Sequence, residues 1–425
     1  MSGSSLALSN LRAFVILIVL AFHSFLAYLG SLPAVPFPFD IAPFRWNAFP
    51  IVDSQRWFGF DIFCAFQDVY LMSFMFFMSG LFVWPSLVRK GGAVFLSDRF
   101  LRIGVPFLGA VLILAPIALY PAYLVTATDP SLSAFWQHWL ALPFWPSGPA
   151  WFLWQLLALN ILAAAMFRFA PSWGELLGRI SASAAEQPLR YFALLVPLSA
   201  IAYVPLALAF TPWAWKTFGI FSLQLSRPLH YVVYFFAGVG IGAHGLERGL
   251  LGVSGPLARR WGAWLAAFLA AFVVWAGPIA LMPDRNDGPI GLQIVSDFGF
   301  VLACACGCFF VAGVTLRFAR WQLAWLDSLS RSAYGMYLIH YVFVVWLQYA
   351  LLGAALSAIT KASIVFTVTI IASWGTMILV ARLPLGAWLR GATPRAVALP
   401  RDPVQRGAAV TTGGEGRARP TRVAD

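Results

Sequence analysis

The chain has 425 residues, of which 61% are hydrophobic and only 10% are charged. A typical soluble domain is about half apolar and about a quarter charged, so this composition excludes a water-soluble enzyme, a disordered chain and a coiled coil. The apolar runs are continuous rather than alternating, which excludes an outer-membrane β-barrel. The sequence therefore predicts an all-α, polytopic membrane protein.

A membrane-spanning helix needs about 20 apolar residues, and runs of this kind occur at about ten places in the chain. Proline, glycine or charged clusters separate them, as expected of loops. In chain order the predicted spans are Leu11–Leu29, Phe60–Val83, Ile103–Leu124, Trp151–Phe169, Tyr191–Phe210, Leu229–His244, Trp261–Met282, Leu292–Leu316, Ala333–Leu352 and Ala362–Val380.

The distribution of basic residues predicts that both chain ends lie in the cytoplasm. With a cytoplasmic N-terminus, most of the 28 Lys and Arg residues fall in inner loops or in the C-terminal tail, as the positive-inside rule requires. The outer side receives only Arg45, Arg56, Lys216, Arg227, Arg285 and Lys361. The net charge of +12 is thus explained largely by topology and gives no reason to expect a nucleic acid partner.

Two domains are predicted, an integral-membrane domain over residues 1–390 and a disordered, basic cytoplasmic tail over residues 391–425. The tail is rich in Arg, Pro, Gly and Ala, and its arginines are suited to anionic lipid. The first span lacks a basic N-terminal region and a clear cleavage site, so we expect it to be uncleaved. Two long aromatic loops, Ser31–Trp57 and Thr126–Ala150, are predicted to form an extracytoplasmic surface.

His23 is the leading candidate for chemistry, because ionisable groups inside spans are costly and usually functional. Arg12 precedes it by eleven residues, which is about three turns and roughly 16 Å of helix. The two residues therefore share a helix face, with Arg12 at the cytoplasmic rim and His23 near the midplane. The alternative is a structural histidine that is hydrogen-bonded to a neighbouring helix.

His340 lies within the ninth span at a depth where it can meet His23. Tyr334, Tyr337 and Tyr341 flank it at helical spacing. A substrate or supporting role and a polar packing network are equally compatible with this pattern.

Arg99 and Arg102, three residues apart at the start of a predicted span, place two guanidinium groups on one face. Planar guanidinium groups match phosphate oxygens. An ordinary positive-inside cluster has the same spacing, so the spacing alone does not identify an anion site.

The remaining polar signals are weaker. Asp61, Asp68 and Asp297 are candidates to orient a histidine, or else they form ion pairs or lie at the rim.

The Cys304–Cys308 cluster lacks the ligand spacing of a metal site and is expected to pack as small apolar residues. Likewise, Gly238, Gly240 and Gly242 have no preceding strand and are expected to allow close helix packing. No metal site is predicted.

These residues resemble the motifs of the acyltransferase-3 family of integral-membrane O-acyltransferases. Arg12-x10-His23 is similar to the family signature, and Arg99-x-x-Arg102 is similar to its second motif. GPAWFLWQLLAL, which contains Trp151, is similar to its Leu-Trp-Phe-Leu segment. The family also has a Ser-Tyr-Gly-x-Tyr-Leu-x-His stretch. In this chain it is matched by Ser332, Tyr334, Gly335, Tyr337, Leu338 and His340.

The resemblance covers roughly residues 8–382, and it departs from the family at one position. Ser73 stands where many members have an Asp just before the Phe-Phe-x-x-Ser-Gly stretch. The run Met72-Ser73-Phe74 is closer to a subgroup resembling glucan biosynthesis protein C, which succinylates periplasmic glucans. This favours a glucan as the acceptor.

The resemblance implies a multi-pass protein of a bacterial-type inner (plasma) membrane that moves an acetyl or succinyl group. The donor would be cytoplasmic acyl-CoA, used as a co-substrate without a bound cofactor, and the acceptor a sugar hydroxyl of an extracytoplasmic glycan. His23 would be the general base. The implied substrate- and donor-binding residues are Arg12, Arg99, Arg102, Trp151, Tyr337 and His340.

Two alternatives remain at this stage. A transporter or flippase for a glycan or lipid-linked sugar would share the span number and the aromatic outer loops, although we see no internal repeat. A membrane scaffold would leave Arg12 and His23 unexplained. The sequence does not predict an oligomeric state.

Overall fold

The computed structural model describes residues 3–182, 187–282, 284–285 and 287–383. The predicted tail, residues 391–425, lies outside the described residues. The α-helices of the described residues are α1 (Gly3–Phe25), α2 (Phe58–Gly80), α3 (Val83–Lys90), α4 (Gly92–Arg99), α5 (Val105–Gly109), α6 (Ala115–Leu124), α7 (Leu132–Ala141), α8 (Trp151–Phe169), α9 (Trp173–Ala182), α10 (Pro188–Phe210), α11 (Pro228–His244), α12 (Pro256–Arg259), α13 (Trp261–Leu281), α14 (Ile290–Phe318), α15 (Ala324–Ala350) and α16 (Ala358–Val380).

Short segments connect these helices. Single 3-10 turns cover Leu26–Tyr28, Arg45–Asn47 and Gly148–Ala150, and π-helical turns cover Phe100–Gly104 and Ala110–Leu114. One antiparallel hairpin pairs β1 (Trp215–Phe218) with β2 (Phe221–Gln224). The sequence did not predict this hairpin.

The predicted all-α, polytopic membrane fold is confirmed. Within the described residues, eight helical stretches are long and apolar enough to cross a membrane. The other two predicted spans coincide with α11, which has 17 residues, and with α15, whose apolar run is interrupted by tyrosine, histidine and glutamine. A helix therefore occupies every predicted span, and the number ten stays a prediction.

Helices α1 and α15 run parallel, as a first and a ninth span must if each intervening span crosses the membrane. Near their starts, the Ser330 hydroxyl donates to the Ser9 carbonyl at 2.7 Å. Further along both helices, the rings of His23 and His340 meet. The two helices therefore have the same N-to-C direction, which agrees with the predicted topology.

The two aromatic loops predicted to lie outside pack against each other. Asp40 of the first loop pairs with His138 of the second at 2.8 Å, and Phe39 stacks on the fully buried Trp46 at 4.3 Å. The first loop is also tied to α16, because buried Lys361 donates to Asp53 at 2.7 Å. These contacts build one folded cap at the predicted outer end of the bundle.

Helix α14 is central and α16 is peripheral, since 78% of the α14 span but only 22% of the α16 span is buried. Close packing near this centre depends on glycines, as the sequence analysis expected. A Cβ at Gly238 of α11 would lie 2.0 Å from the Phe77 carbonyl oxygen, and one at Gly242 would lie 2.0 Å from that of Leu81. In a membrane such contacts let helix backbones approach and supply the packing that holds them together.

We predict that Gly238→Ala destabilises the protein. The added methyl group meets rigid backbone of α2, and overpacking of this kind costs typically about 1–3 kcal/mol. The measurement is the unfolding temperature of the purified protein in detergent, with Gly262→Ala as the matched control. Nothing lies within 4 Å of a Cβ at Gly262 of α13, so alanine there leaves stability unchanged or raises it. Equal unfolding temperatures for the two variants would contradict this packing account.

Candidate active site

The two in-span histidines singled out by the sequence come together between α1 and α15. His340 Nε2 lies 3.3 Å from His23 Nδ1, and the ring centroids are 5.0 Å apart. His340 is fully buried, while His23 is half-buried. His23 lies in the last turn of α1, so it is nearer the C-terminal end of its span than the midplane that the sequence predicted.

Backbone carbonyls fix which ring nitrogens carry hydrogen. His340 Nδ1 faces the Tyr337 carbonyl at 2.7 Å, and His23 Nδ1 faces the Val19 carbonyl at 2.9 Å. Since a carbonyl oxygen only accepts, each neutral ring carries its hydrogen on Nδ1. His340 Nε2 is then an acceptor for the His23 Nδ1 hydrogen, which is shared with the Val19 carbonyl.

This arrangement leaves His23 Nε2 unprotonated. It has no hydrogen-bond partner among the described residues, and the ring is only half-buried. His23 is thus a base whose free lone pair is accessible and whose opposite nitrogen is held. The same division of labour operates where an acidic residue holds the histidine of a catalytic triad.

Helix α15 is anchored on α1 by a glutamine that the sequence analysis missed. Gln348, only 2% exposed, donates to the carbonyls of His23 at 3.0 Å and Ser24 at 3.2 Å. These carbonyls lie at the end of α1, where the last turn of a helix lacks internal partners. The available signal was a polar side chain within an apolar run, which is the same signal that singled out His23 and His340.

Two prolines in the third span create further anchors for α15. Pro106 and Pro121 have no N–H, so the carbonyls four residues earlier lose their helical partners. The Tyr334 hydroxyl donates to the first of these, Arg102, at 2.5 Å. Trp346 Nε1 donates to the second, Ile117, at 2.8 Å. Both donors belong to the helix that carries His340.

The hydroxyls of the tyrosines next to His340 differ in their contacts. The Tyr337 hydroxyl donates to the Pro149 carbonyl at 2.5 Å, so this predicted binding residue ties the Gly148–Ala150 turn to α15. The Tyr341 ring lies 5.4 Å from that of His23, and its hydroxyl has no partner among the described residues. A cavity of about 20 Å³ lies beside it, roughly the room that one water needs.

Trp151 is close to the histidines without contacting them. It begins α8 directly after the Gly148–Ala150 turn, and its ring stacks at 6.0 Å on that of Tyr231. Phe152 and Tyr337, with ring centroids 6.3 Å apart, separate it from His340. Its predicted role is therefore at the edge of the site.

The three predicted anion-binding arginines lie toward the opposite end of the bundle, which the sequence predicts to be cytoplasmic. Arg12 stacks over Phe82 at 5.5 Å, and Arg99 stacks over Phe95 at 5.0 Å. Arg102 lies in the π-helical turn after α4 and is close enough to Arg99 for the two charges to repel. Within the part of the chain that the structure describes, none of the three is paired with a carboxylate. The three arginines make this end of the bundle a basic surface, which favours an anion.

Among the described residues, none of the three aspartates singled out by the sequence contacts a histidine, so the prediction that one of them orients a histidine is wrong. Asp61 accepts from the backbone of Gly30 at 2.6 Å, Asp68 pairs with Arg227, and Asp297 pairs with Arg285 at 2.6 Å. The other open reading, ion pairs or rim positions, describes all three. A neutral histidine and a carbonyl hold His23 instead, and these cost less than a carboxylate inside a membrane.

The cysteine cluster packs as expected, since Cys304, Cys306 and Cys308 are buried. The sequence did not predict that His230 would lie 3.4 Å from the Cys304 sulfur. Within the described residues, no group of three His, Cys, Asp or Glu side chains is arranged to hold a metal ion.

Comparison with known proteins agrees with the motif resemblance. The family model described as "Acyltransferase domain", of the acyltransferase-3 type, matches residues 5–378. No curated protein and no solved structure matches the chain. A family match over most of the length shows the class of the enzyme and leaves its substrates open. The chain therefore belongs to the acyltransferase-3 family and is a multi-pass membrane acyltransferase.

Proposed function

We propose that this acyltransferase moves an acetyl or succinyl group from cytoplasmic acyl-CoA to a sugar hydroxyl of an extracytoplasmic glycan, in a bacterial-type inner membrane. The observation that carries the proposal is the His23–His340 pair, in which a partly accessible imidazole nitrogen is left free as a base. The pair lies between a basic inner surface and an aromatic outer cap.

The chemistry follows from the tautomer of His23. As the acceptor oxygen attacks the thioester carbon, His23 Nε2 takes the hydroxyl proton. The new carbon–oxygen bond forms, the tetrahedral intermediate collapses, and the carbon–sulfur bond breaks. His23 then returns the proton to the departing CoA thiolate. General base catalysis of this kind typically contributes about 10²–10⁴-fold to the rate.

His340 acts as a positioning residue in this scheme. When His23 gains its second proton, His340 Nε2 and the Val19 carbonyl already accept from Nδ1. They therefore stabilise the imidazolium without reorganisation. Because Tyr334 and Tyr337 donate their hydroxyl hydrogens elsewhere, Tyr341 is the nearby tyrosine still able to donate to the oxyanion.

The basic surface suits the donor. CoA carries several phosphates at one end of a long pantetheine arm and the thioester at the other. Arg12 and His23 lie on one unbroken helix, separated by roughly 16 Å. If Arg12, Arg99 and Arg102 bind the phosphates, the pantetheine arm extends from them into the membrane. The thioester at its far end then lies near His23.

We predict that His23→Ala abolishes transfer of radiolabelled acetyl or succinyl groups from acyl-CoA, while His340→Ala lowers kcat by about 10–100-fold because the base is still present but no longer held. The assay uses purified protein in proteoliposomes, with unfolding temperatures as a folding check. His138→Ala is the matched control, because this histidine is exposed in the outer cap and should retain activity. Full activity in His23→Ala would refute the mechanism. Movement of a glycan without acyl-CoA would favour a transporter.

A second prediction concerns the donor. We expect Arg12→Gln and Arg99→Gln each to raise the KM for acyl-CoA by about tenfold, since a lost charge-assisted hydrogen bond is worth about 1.5–3 kcal/mol. Raised salt should weaken acyl-CoA binding to the wild type more than to these variants. Arg168→Gln serves as the control, because this arginine stacks over its neighbour Phe169 and is not one of the three arginines assigned to the donor. An unchanged KM in both variants would remove the arginines from the donor site.

A further inference from the structure

A groove lies between α1 and α14, apart from the histidines, and it contains a cavity of about 250 Å³. Leu11 and Ile18 mark its two ends on α1, and Phe318 and Phe310 mark them on α14. The residues of α2 that line it are buried, so α2 forms its floor. Its walls are only half-buried, and Phe318 is 44% exposed. The groove is therefore open on one side.

The dimensions of the groove fit one hydrocarbon chain. From Phe310 to Phe318 the helix rises roughly 12 Å, and one leaflet of a bilayer has about 15 Å of hydrocarbon. Divided by this length, the volume gives a cross-section of about 20 Å². A helix with its side chains is about 10–12 Å across and needs several times that area. The groove is thus too narrow for a helix of a partner protein.

The lining of the groove does not suit water. Among the described residues that line it, only Tyr70, Thr315 and Trp321 carry a polar side-chain atom, and the Tyr70 hydroxyl donates to Gln67 at 2.6 Å. A bound water needs two to four polar partners. An empty groove would deprive its lining of dispersion contacts. An acyl chain from the surrounding bilayer restores those contacts at no polar cost.

One end of the groove is held in place by a buried asparagine. Asn10 is fully buried, and its Nδ2 donates to the carbonyls of Ala319 at 3.0 Å and Trp321 at 2.8 Å. Ala319 and Trp321 both line the groove. These hydrogen bonds therefore fix the end of α14 against α1, and they fix the position of Arg320 between the two acceptors.

This end of the groove has the composition of a membrane–water interface. It lies at the end of the bundle that the sequence predicts to be cytoplasmic. Trp321 is 55% exposed and Trp325 is 51% exposed, and exposed tryptophans are typical of the headgroup level. A chain in the groove would therefore have its head group beside these residues.

The charge at this end favours an anionic head group. Arg317 and Arg320 are exposed and are direct neighbours of lining residues. Between positions 317 and 331 the chain carries three arginines and one acidic residue, Asp327. Basic pockets between helices at the cytoplasmic side attract anionic lipid head groups.

We propose that the groove binds one acyl chain of an anionic phospholipid, whose phosphate lies beside Arg317 and Arg320. This site is independent of the proposed transfer reaction, because neither Arg12 nor His23 lines the groove. It would hold the lipid against α1, the helix that carries both of those residues.

The test is photo-crosslinking in nanodiscs with phosphatidylglycerol that carries a diazirine midway along one acyl chain. Mass spectrometry of peptides locates the label on the full-length protein. We expect labelling to concentrate on residues 14–18 and 310–318 and to fall when unlabelled phosphatidylglycerol is added. Val314→Phe places a ring in the groove and should lower labelling there by about tenfold. Val273→Phe is the matched control, because Val273 is 68% exposed on α13 and should leave labelling unchanged.

The head group is tested with phosphatidylcholine that carries the same diazirine. We expect Arg317→Gln and Arg320→Gln each to lower the preference for phosphatidylglycerol by about fivefold. Arg190→Gln changes another exposed arginine and should keep the preference.

Two results would overturn the proposal. The groove is refuted as a lipid site if labelling is spread evenly over the exposed helix faces or if Val314→Phe, with an unfolding temperature like that of the wild type, is labelled equally. Equal labelling by the two lipids would refute an anionic phospholipid as the occupant. Because the labelling needs no acyl-CoA and should be the same in His23→Ala, this proposal and the proposed function fail separately.

Discussion

The candidate active site depends on one constraint, that every backbone carbonyl inside a membrane needs a hydrogen-bond partner. Prolines and a helix end free carbonyls in the first and third spans, and side chains of α15 satisfy them. Tyr334 and Trp346 reach the carbonyls of Arg102 and Ile117, and Gln348 reaches the end of α1. Donors at three levels of one helix fix its depth and its rotation, and so they fix the position of His340.

The same constraint sets the chemical state of His23. A carbonyl of its own helix and the ring of His340 both face Nδ1, so the hydrogen stays on that nitrogen and the other remains a base. A soluble enzyme commonly uses a carboxylate for this purpose. In this protein Asp61, Asp68 and Asp297 are engaged by cations or backbone groups, and uncharged partners hold the imidazole instead. The base is therefore prepared without a charge that the bilayer would penalise.

Much of the fold and part of the site could be predicted from sequence, because both arise from strong local signals. Long apolar runs predicted a helix at each predicted span, and in-span ionisable residues directed attention to His23 and His340, since each is costly in a membrane. The hairpin, the Gln348 cap and the Asp68–Arg227 pair could not be predicted, because each depends on which spans become neighbours. Arg227 shows this most clearly. Loop charge counting places it at the rim, whereas its contact with Asp68, far away in sequence, buries it.

The central claim is that His23 presents an unprotonated Nε2 because Nδ1 is held. Solid-state NMR of 15N-histidine-labelled protein in lipid tests it most directly, with the His23 signals assigned by their loss in His23→Gln. The account predicts a neutral ring protonated on Nδ1 in the wild type, with the Nδ1 hydrogen bond perturbed in His340→Ala. A neutral ring protonated on Nε2 would contradict the account, since no base would then face the substrate.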